Sequence, residues 1–334
     1  MIKNNKFLLN NFSDVVIFGH PQNEIIRINQ KFNLSTIVIT SIDQSKLMNK
    51  KLINFKVFNS IDDKCLKFLK KKIDFKKTLF VGIGPRYIFK KETIRKFENN
   101  FINIHNSRLP FDAGGGAGSW TIMREDRICN MCIHIMNEDI DGGPIIANEM
   151  SLYPKNCIIP NDFKEHASKL MINFYEIFIN KLIKNHEFEL RPQIHYLSRY
   201  NPRLNTEISG FINWNLNSYD LINFINAFEE PYKGASTYLN NGNFGKLYLK
   251  DVQLHGGDTP NHPYMTGIVS RHDKKWITVC TNSKHMLLIE KIINSDGENI
   301  IDKIKVGDRF FTPTEKLDAA KSRRIYYNSF GLKN

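Results

Sequence analysis

Phe101-Ile102-Asn103-Ile104-His105-Asn106-Ser107-Arg108-Leu109-Pro110 decides the fold. Its first five residues alternate, so Ile102 and Ile104 go to one face of a strand and Asn103 and His105 to the other, the polar pair about 7 Å apart by strand rise. One face is core and the other is free for chemistry. Asn106 to Pro110 stops the strand and leaves His105 at its carboxyl end, where open parallel α/β sheets hold their ligands. Working upstream, short apolar runs at Val15 to Phe18, Thr36 to Thr40 and Thr78 to Val81 alternate with helical patterns at Glu24 to Lys31, Asp63 to Lys72 and Lys91 to Glu98. That rhythm predicts βαβ units and a parallel sheet. Downstream, a glycine-rich loop, Ala113 to Gly118, opens a helix near Ser119; a strand at Met131 to Met136 and a long amphipathic helix at Phe163 to Lys184 follow.

Arg191 to Ile208, polar and with two prolines, reads as a linker. Beyond it one helix, Ser218 to Phe228, precedes short strands at Thr237 to Leu239, Lys246 to Leu249, Gly267 to Val269, Trp276 to Cys280 and Met286 to Ile289, the pattern of a small barrel or sandwich.

The 334 residues, 41% of them hydrophobic, suffice for two buried cores and exclude global disorder. No apolar window reaches the length of a membrane span, and the opening MIKNNKFLLNNF is too polar for a signal segment, so a cytoplasmic protein without a membrane partner is expected. Five scattered cysteines do not form the framework of a small secreted domain. Lys and Arg exceed Asp and Glu by 47 to 34, a net +13, but the surplus is Lys spread among Asn and Ile and reads as solvated surface. Cys129, Cys132 and His134 hint at zinc; with no second pair at ligand spacing, and with strand periodicity scattering the three, no metal is expected.

A second cluster, Glu138-Asp139-Ile140-Asp141-Gly142-Gly143-Pro144-Ile145-Ile146, is an acidic turn leaving into an apolar strand. NIHxSxLP followed by DxDGGPII, in this order and spacing, resembles the formyltransferases that use N10-formyltetrahydrofolate, a family including glycinamide ribonucleotide, methionyl-tRNA and nucleotide-sugar N-formyltransferases. The likeness runs from Val15 to about Pro154. It implies a catalytic trio of Asn103, His105 and Asp141, types that suit amine attack on a formyl carbon: donors for the developing oxyanion and an acceptor for the amine proton. It also implies a reduced folate between Arg86-Tyr87-Ile88-Phe89 and the turn residues Glu138, Asp139, Ile140 and Gly142, with Gly82 and Gly84 allowing close backbone approach. The Gly82-Ile83-Gly84 run lacks the third glycine and the immediate helix of a dinucleotide loop.

Gly210-Phe-Ile-Asn-Trp214 and Asn226 to Ala235 are similar to the C-terminal module of methionyl-tRNA and aminoarabinose formyltransferases, a small open barrel related to the OB fold. The expected fold is thus α/β, a Rossmann-like parallel-sheet formyltransferase domain (1–190), a linker (191–208), a small mainly β OB-like domain (209–317) and a tail (318–334). The tRNA enzymes carry a basic insertion with a PD-x-PAGRG pattern and a basic loop after SLLP; here stand the shorter Ser41 to Phe55 and a glycine run. The resemblance therefore favours a nucleotide-linked amino sugar as acceptor, in polysaccharide or glycan synthesis, over initiator tRNA or a noncatalytic folate- or RNA-binding protein. Ser107, Arg108, Gly114, Gly115, Gly116 and Trp120 are the candidate acceptor contacts, Trp120 either stacking on a base or filling core. A homodimer is compatible with all of this.

Overall fold

β1 (Asp14–Gly19), β2 (Ser35–Thr40), β3 (Phe55–Val57), β4 (Thr78–Ile83) and β5 (Phe101–Asn106) form the parallel part of a seven-stranded sheet, with β1 between β2 and β4. Every residue of β4 is buried, as expected of a strand covered on both faces. The structure, a computed structural model, describes residues 2–3, 5–48, 54–97, 99–115, 117–240, 244–257 and 260–323. Gly116, part of Ser41 to Phe55, Glu98 at the end of one expected helix, and the tail from 324 lie outside the described residues.

On one side of the sheet α1 (Asn23–Lys31) packs with a long later helix; on the other lies α2 (Asp63–Lys70), started by Asp62, whose carboxylate accepts the N–H groups of Lys64 and Cys65 at 2.9 and 3.2 Å. Under that second face Phe18 meets the rings of Phe89, Phe101 and Phe97 at 5.3 to 5.6 Å. This aromatic packing fixes the root of β5 and the start of the following loop.

The chain then forms β6 (Asp112–Gly114), α3 (Ala117–Met123), β7 (Ile128–Ile135) and β8 (Ile145–Leu152). β7 and β8 extend the sheet antiparallel, in the order β8-β7-β5-β4-β1-β2-β3. The glycine run expected as a loop is strand in its first part. Gly114 has φ +96°, and a Cβ there would stand 2.5 Å from the Asn201 carbonyl, so only glycine lets this strand approach its neighbour. That neighbour is β9 (Arg199–Asn201), parallel to β6 and reached after the 24-residue helix α4 (Pro160–Ile183). The expected linker also touches the first sheet at its start, where Arg191 and Ile145 exchange both backbone hydrogen bonds.

The remaining chain gives α5 (Ser218–Ala227) and a six-stranded antiparallel sheet of β10 (Ala235–Leu239), β11 (Leu247–His255), β12 (Val269–His272), β13 (Ile277–Val279), β14 (Met286–Ile293) and β15 (Phe310–Phe311), in the order β12-β13-β14-β11-β10-β15. This curled sheet is the expected OB-like half-barrel. Trp214 is buried within it, its indole N–H on Thr237 Oγ1 at 2.9 Å and its ring stacked on Phe310. Ser119 of α3 donates to the Ala227 carbonyl at the end of α5, joining the two parts. No helix among the described residues is long and apolar enough to cross a membrane.

Candidate active site

Asn103 and His105 share one face of β5, next to β7. Directly across from Asn103 is His134, 1% exposed. Its Nδ1 stands 2.9 Å from the Ile135 carbonyl, which only accepts, so the proton is on Nδ1 and Nε2 is an acceptor. Asn103 Nδ2 donates to that Nε2 at 3.2 Å, which fixes the amide's orientation. Burial drives the His134 pKa down to about 4 against the opposing pull of Asp141, so the imidazole stays neutral. Gly82 makes room on the other side: a Cβ there would stand 2.6 Å from Asn103 Oδ1. The space that this glycine opens is therefore filled by Asn103.

Asp141 approaches from the acidic turn. Its backbone is left-handed at φ +53°, a region that Asp tolerates better than most residues. Gly143 cannot carry a side chain, because a Cβ would fall 1.8 Å from the Ile135 carbonyl. Asp141 Oδ2 accepts the Gly114 N–H at 3.0 Å and lies 3.6 Å from His105 Nε2; Oδ1 is 3.9 Å from His134 Nε2. Gln193 locks the turn from outside, its Nε2 donating to the carbonyls of Asp141 and Gly143 at 2.7 and 2.6 Å. Asn103 Oδ1 and His105 Nε2 are buried polar atoms without a hydrogen-bond partner among the described residues, as expected where a ligand completes a site.

Lys91, two residues past the first of the two stretches read as folate walls, forms an ion pair with Glu138 of the second. Their side chains divide. Tyr87 is buried with its hydroxyl on the Phe58 carbonyl, and Phe89 is buried in the aromatic cluster; Ile88 and Ile140 are exposed, and Arg86 reaches Asp43 at 3.9 Å. Asp139 is exposed, its N–H on Asn137 Oδ1, and Gly142 closes the turn with its N–H on the Asp139 carbonyl. An apolar slot here would therefore take Ile88 and backbone instead of the Phe89 ring.

Of the residues expected to contact the acceptor, Ser107 is buried and its hydroxyl donates to the Asp112 carbonyl, so it shapes the loop. Gly114 and Gly115 give their N–H groups to Asp141 Oδ2 and the Asn201 carbonyl. Trp120 is partly exposed, its indole N–H on the Pro202 carbonyl at 2.8 Å. Asp112, 6% exposed, collects Arg199, Arg124 and Arg108 at 2.8, 3.3 and 3.4 Å, and Asn201 besides. Burial opposes its charge, but hydrogen bonds from Arg199 and Asn201 and the charges of Arg124 and Arg199 hold its carboxyl below the usual range. His134, Gln193, Arg124 and Arg199 are site residues that the sequence reading did not assign. For His134 the usable signal is its parity with Cys132 on a strand ending at the acidic turn.

The profile described as "Formyl transferase" matches residues 37–168, and "Formyl transferase, C-terminal domain" matches 206–302. A curated relative, the methionyl-tRNA formyltransferase of Borreliella afzelii, is 26% identical over 75% of this chain and 76% of its own length. Among solved structures, an N-formyltransferase from Helicobacter canadensis, in complex with folinic acid and dTDP-3-aminofucose, covers 84% of this chain and 99% of its own at 15% identity and a TM-score of 0.62. WlaRD, a sugar 3N-formyl transferase solved in the presence of dTDP and 5-N-formyl-THF, covers 84% of this chain and 97% of its own at 16% identity and a TM-score of 0.56.

Proposed function

Since the chain belongs to the formyl transferase family, we propose that it transfers the formyl group of N10-formyltetrahydrofolate to the amino group of a nucleotide-linked amino sugar. The observation that carries the transfer reaction is the meeting of Asn103, His105 and Asp141 at the end of β5, with Asn103 Oδ1 and His105 Nε2 unpartnered. When bound, the folate supplies the activated formyl carbon. Asn103, its amide pinned by neutral His134, keeps one N–H for an oxygen in the site, and His105 presents Nε2 beside Asp141. Asp141, held by Gly114 and Gln193, takes the proton released by the attacking amine. Binding of the folate between the 86–89 segment and the acidic turn is supported by the Lys91–Glu138 link and by exposed Ile88 and Ile140.

The sugar acceptor is supported by the folding back of the chain after Pro110. Asp112 to Gly114 pairs with Arg199 to Asn201 and puts a glycine backbone, with Trp120 next in line, beside Asp141. A second reading, initiator tRNA, draws on the likeness to the Borreliella afzelii protein. The test is to supply formyl-folate, offer dTDP- and UDP-linked amino sugars alongside initiator Met-tRNA, and look for the mass gain of one formyl group. Formylated Met-tRNA with every sugar untouched would overturn the sugar reading; no formylated product from either class would remove the transfer reaction itself.

A further inference from the structure

We propose that Arg108, Arg124 and Arg199, gathered on Asp112, seat the diphosphate of the acceptor, an inference that rests on the sugar-nucleotide reading above. The cluster is overfilled for a structural ion pair. Three guanidinium groups stand against two carboxylates, Asp112 and Asp126, the latter 3.4 Å from Arg108, which leaves cationic charge over. The Nε atoms of Arg108 and Arg124 are buried and have no hydrogen-bond partner among the described residues. Burial, together with the repulsion of Arg199 and Arg108, lowers the Arg124 pKa from its usual value despite Asp112 and Asp126, so a further anion would relieve the site. Arg199 is 54% exposed, and the other two side chains are 30% and 25% exposed, which leaves donors facing solvent. Arginine forks match phosphate oxygens in geometry as well as charge.

Position ties the cluster to the reaction. Asp112 and Gly114 are two residues apart on β6, about 7 Å by strand rise, and the Gly114 N–H is on Asp141. The arginines and the catalytic carboxylate are therefore anchored two residues apart on one short strand. A sugar with its phosphate in the cluster would carry its amine to Asp141.

The test measures binding of inorganic pyrophosphate, dTDP, UDP and thymidine to the full chain by calorimetry. Pyrophosphate and at least one nucleoside diphosphate should bind, with thymidine far weaker. Arg199→Gln changes an exposed side chain and should weaken diphosphate binding at least about tenfold, leaving 5-formyltetrahydrofolate affinity nearly unchanged in a variant that circular dichroism shows to be folded. Arg108→Gln serves as the second variant. Unchanged diphosphate affinity in both variants, or no diphosphate binding to the wild type, overturns the proposal. So does weakened binding of initiator tRNA in the variants with pyrophosphate unaffected, which would assign the phosphate to tRNA. If the variants lose pyrophosphate as expected but no nucleotide-linked amino sugar is formylated, the seat stands and the sugar reading falls.

Discussion

Gly114 donates its backbone N–H to Asp141 Oδ2 at 3.0 Å, so the glycine run after β5 is wired to the carboxylate of the acidic turn. That oxygen is also the one nearest His105, at 3.6 Å. The position of Asp141 relative to His105 is thereby set by a backbone group, which no side-chain substitution removes directly. It is also set by the pairing of β6 with β9.

Asn103→Ala and His105→Ala should each lose at least ~100-fold in turnover while remaining folded, since each removes a polar group directed at developing charge. Steady-state kinetics with circular dichroism checks this. Wild-type turnover in either variant would take that residue out of the mechanism.

Gln193→Leu should lower kcat by roughly tenfold, because two carbonyls of the acidic turn lose their shared donor at a cost of about 1–3 kcal/mol. Gln193→Glu should be worse, since it sets a carboxylate against those carbonyls. Kinetics equal to wild type in the Glu variant would show that the turn does not depend on this clamp.

His134 is held neutral by burial, its pKa lowered from 6.5 to about 4. The unfolded chain takes up a proton that the folded one refuses, so its contribution to stability is full above pH 6.5 and is lost as pH falls toward 4. Melting temperature should therefore drop more steeply across that window in the wild type than in His134→Gln. Parallel profiles would assign the acid sensitivity elsewhere.

Trp120→Ala should weaken nucleotide binding by the ~1 to 3 kcal/mol of a lost stacking surface and spare folate affinity. Trp120→Phe should recover most of the loss. Equal nucleotide affinity in the wild type and the Ala variant would leave the ring a packing role between α3 and Pro202.

The parts of the site legible in the sequence are those fixed within one strand or one turn. Period-two alternation put Asn103 and His105 on one face, and the stop at Pro110 put His105 at a strand end; both hold in β5. The acidic turn gained its meaning only from its pairing with that strand. His134 stands beside two cysteines and drops out as a zinc ligand for want of a second pair at ligand spacing; its contact with Asn103 comes from the antiparallel register of β5 and β7, which local pattern does not encode. Tyr87 and Phe89 came from the resemblance and not from a local pattern; both side chains are buried, Phe89 against Phe18 and Phe101. Gln193 and Arg199 sit in a stretch whose prolines and polarity read as mere connection.

That stretch bears on how the gene can be divided. Arg191, Gln193, Arg199 and Asn201 are encoded with the second half of the protein, yet they hold Ile145, Asp141, Gly143 and Asp112 of the first. A recombination that joins this N-terminal half to a foreign C-terminal half should splice after residue 203. A crossover near 190 would import another protein's contacts to the acidic turn and to Asp112 along with its barrel, so the geometry around Asp141 would be inherited together with what looks like an accessory module.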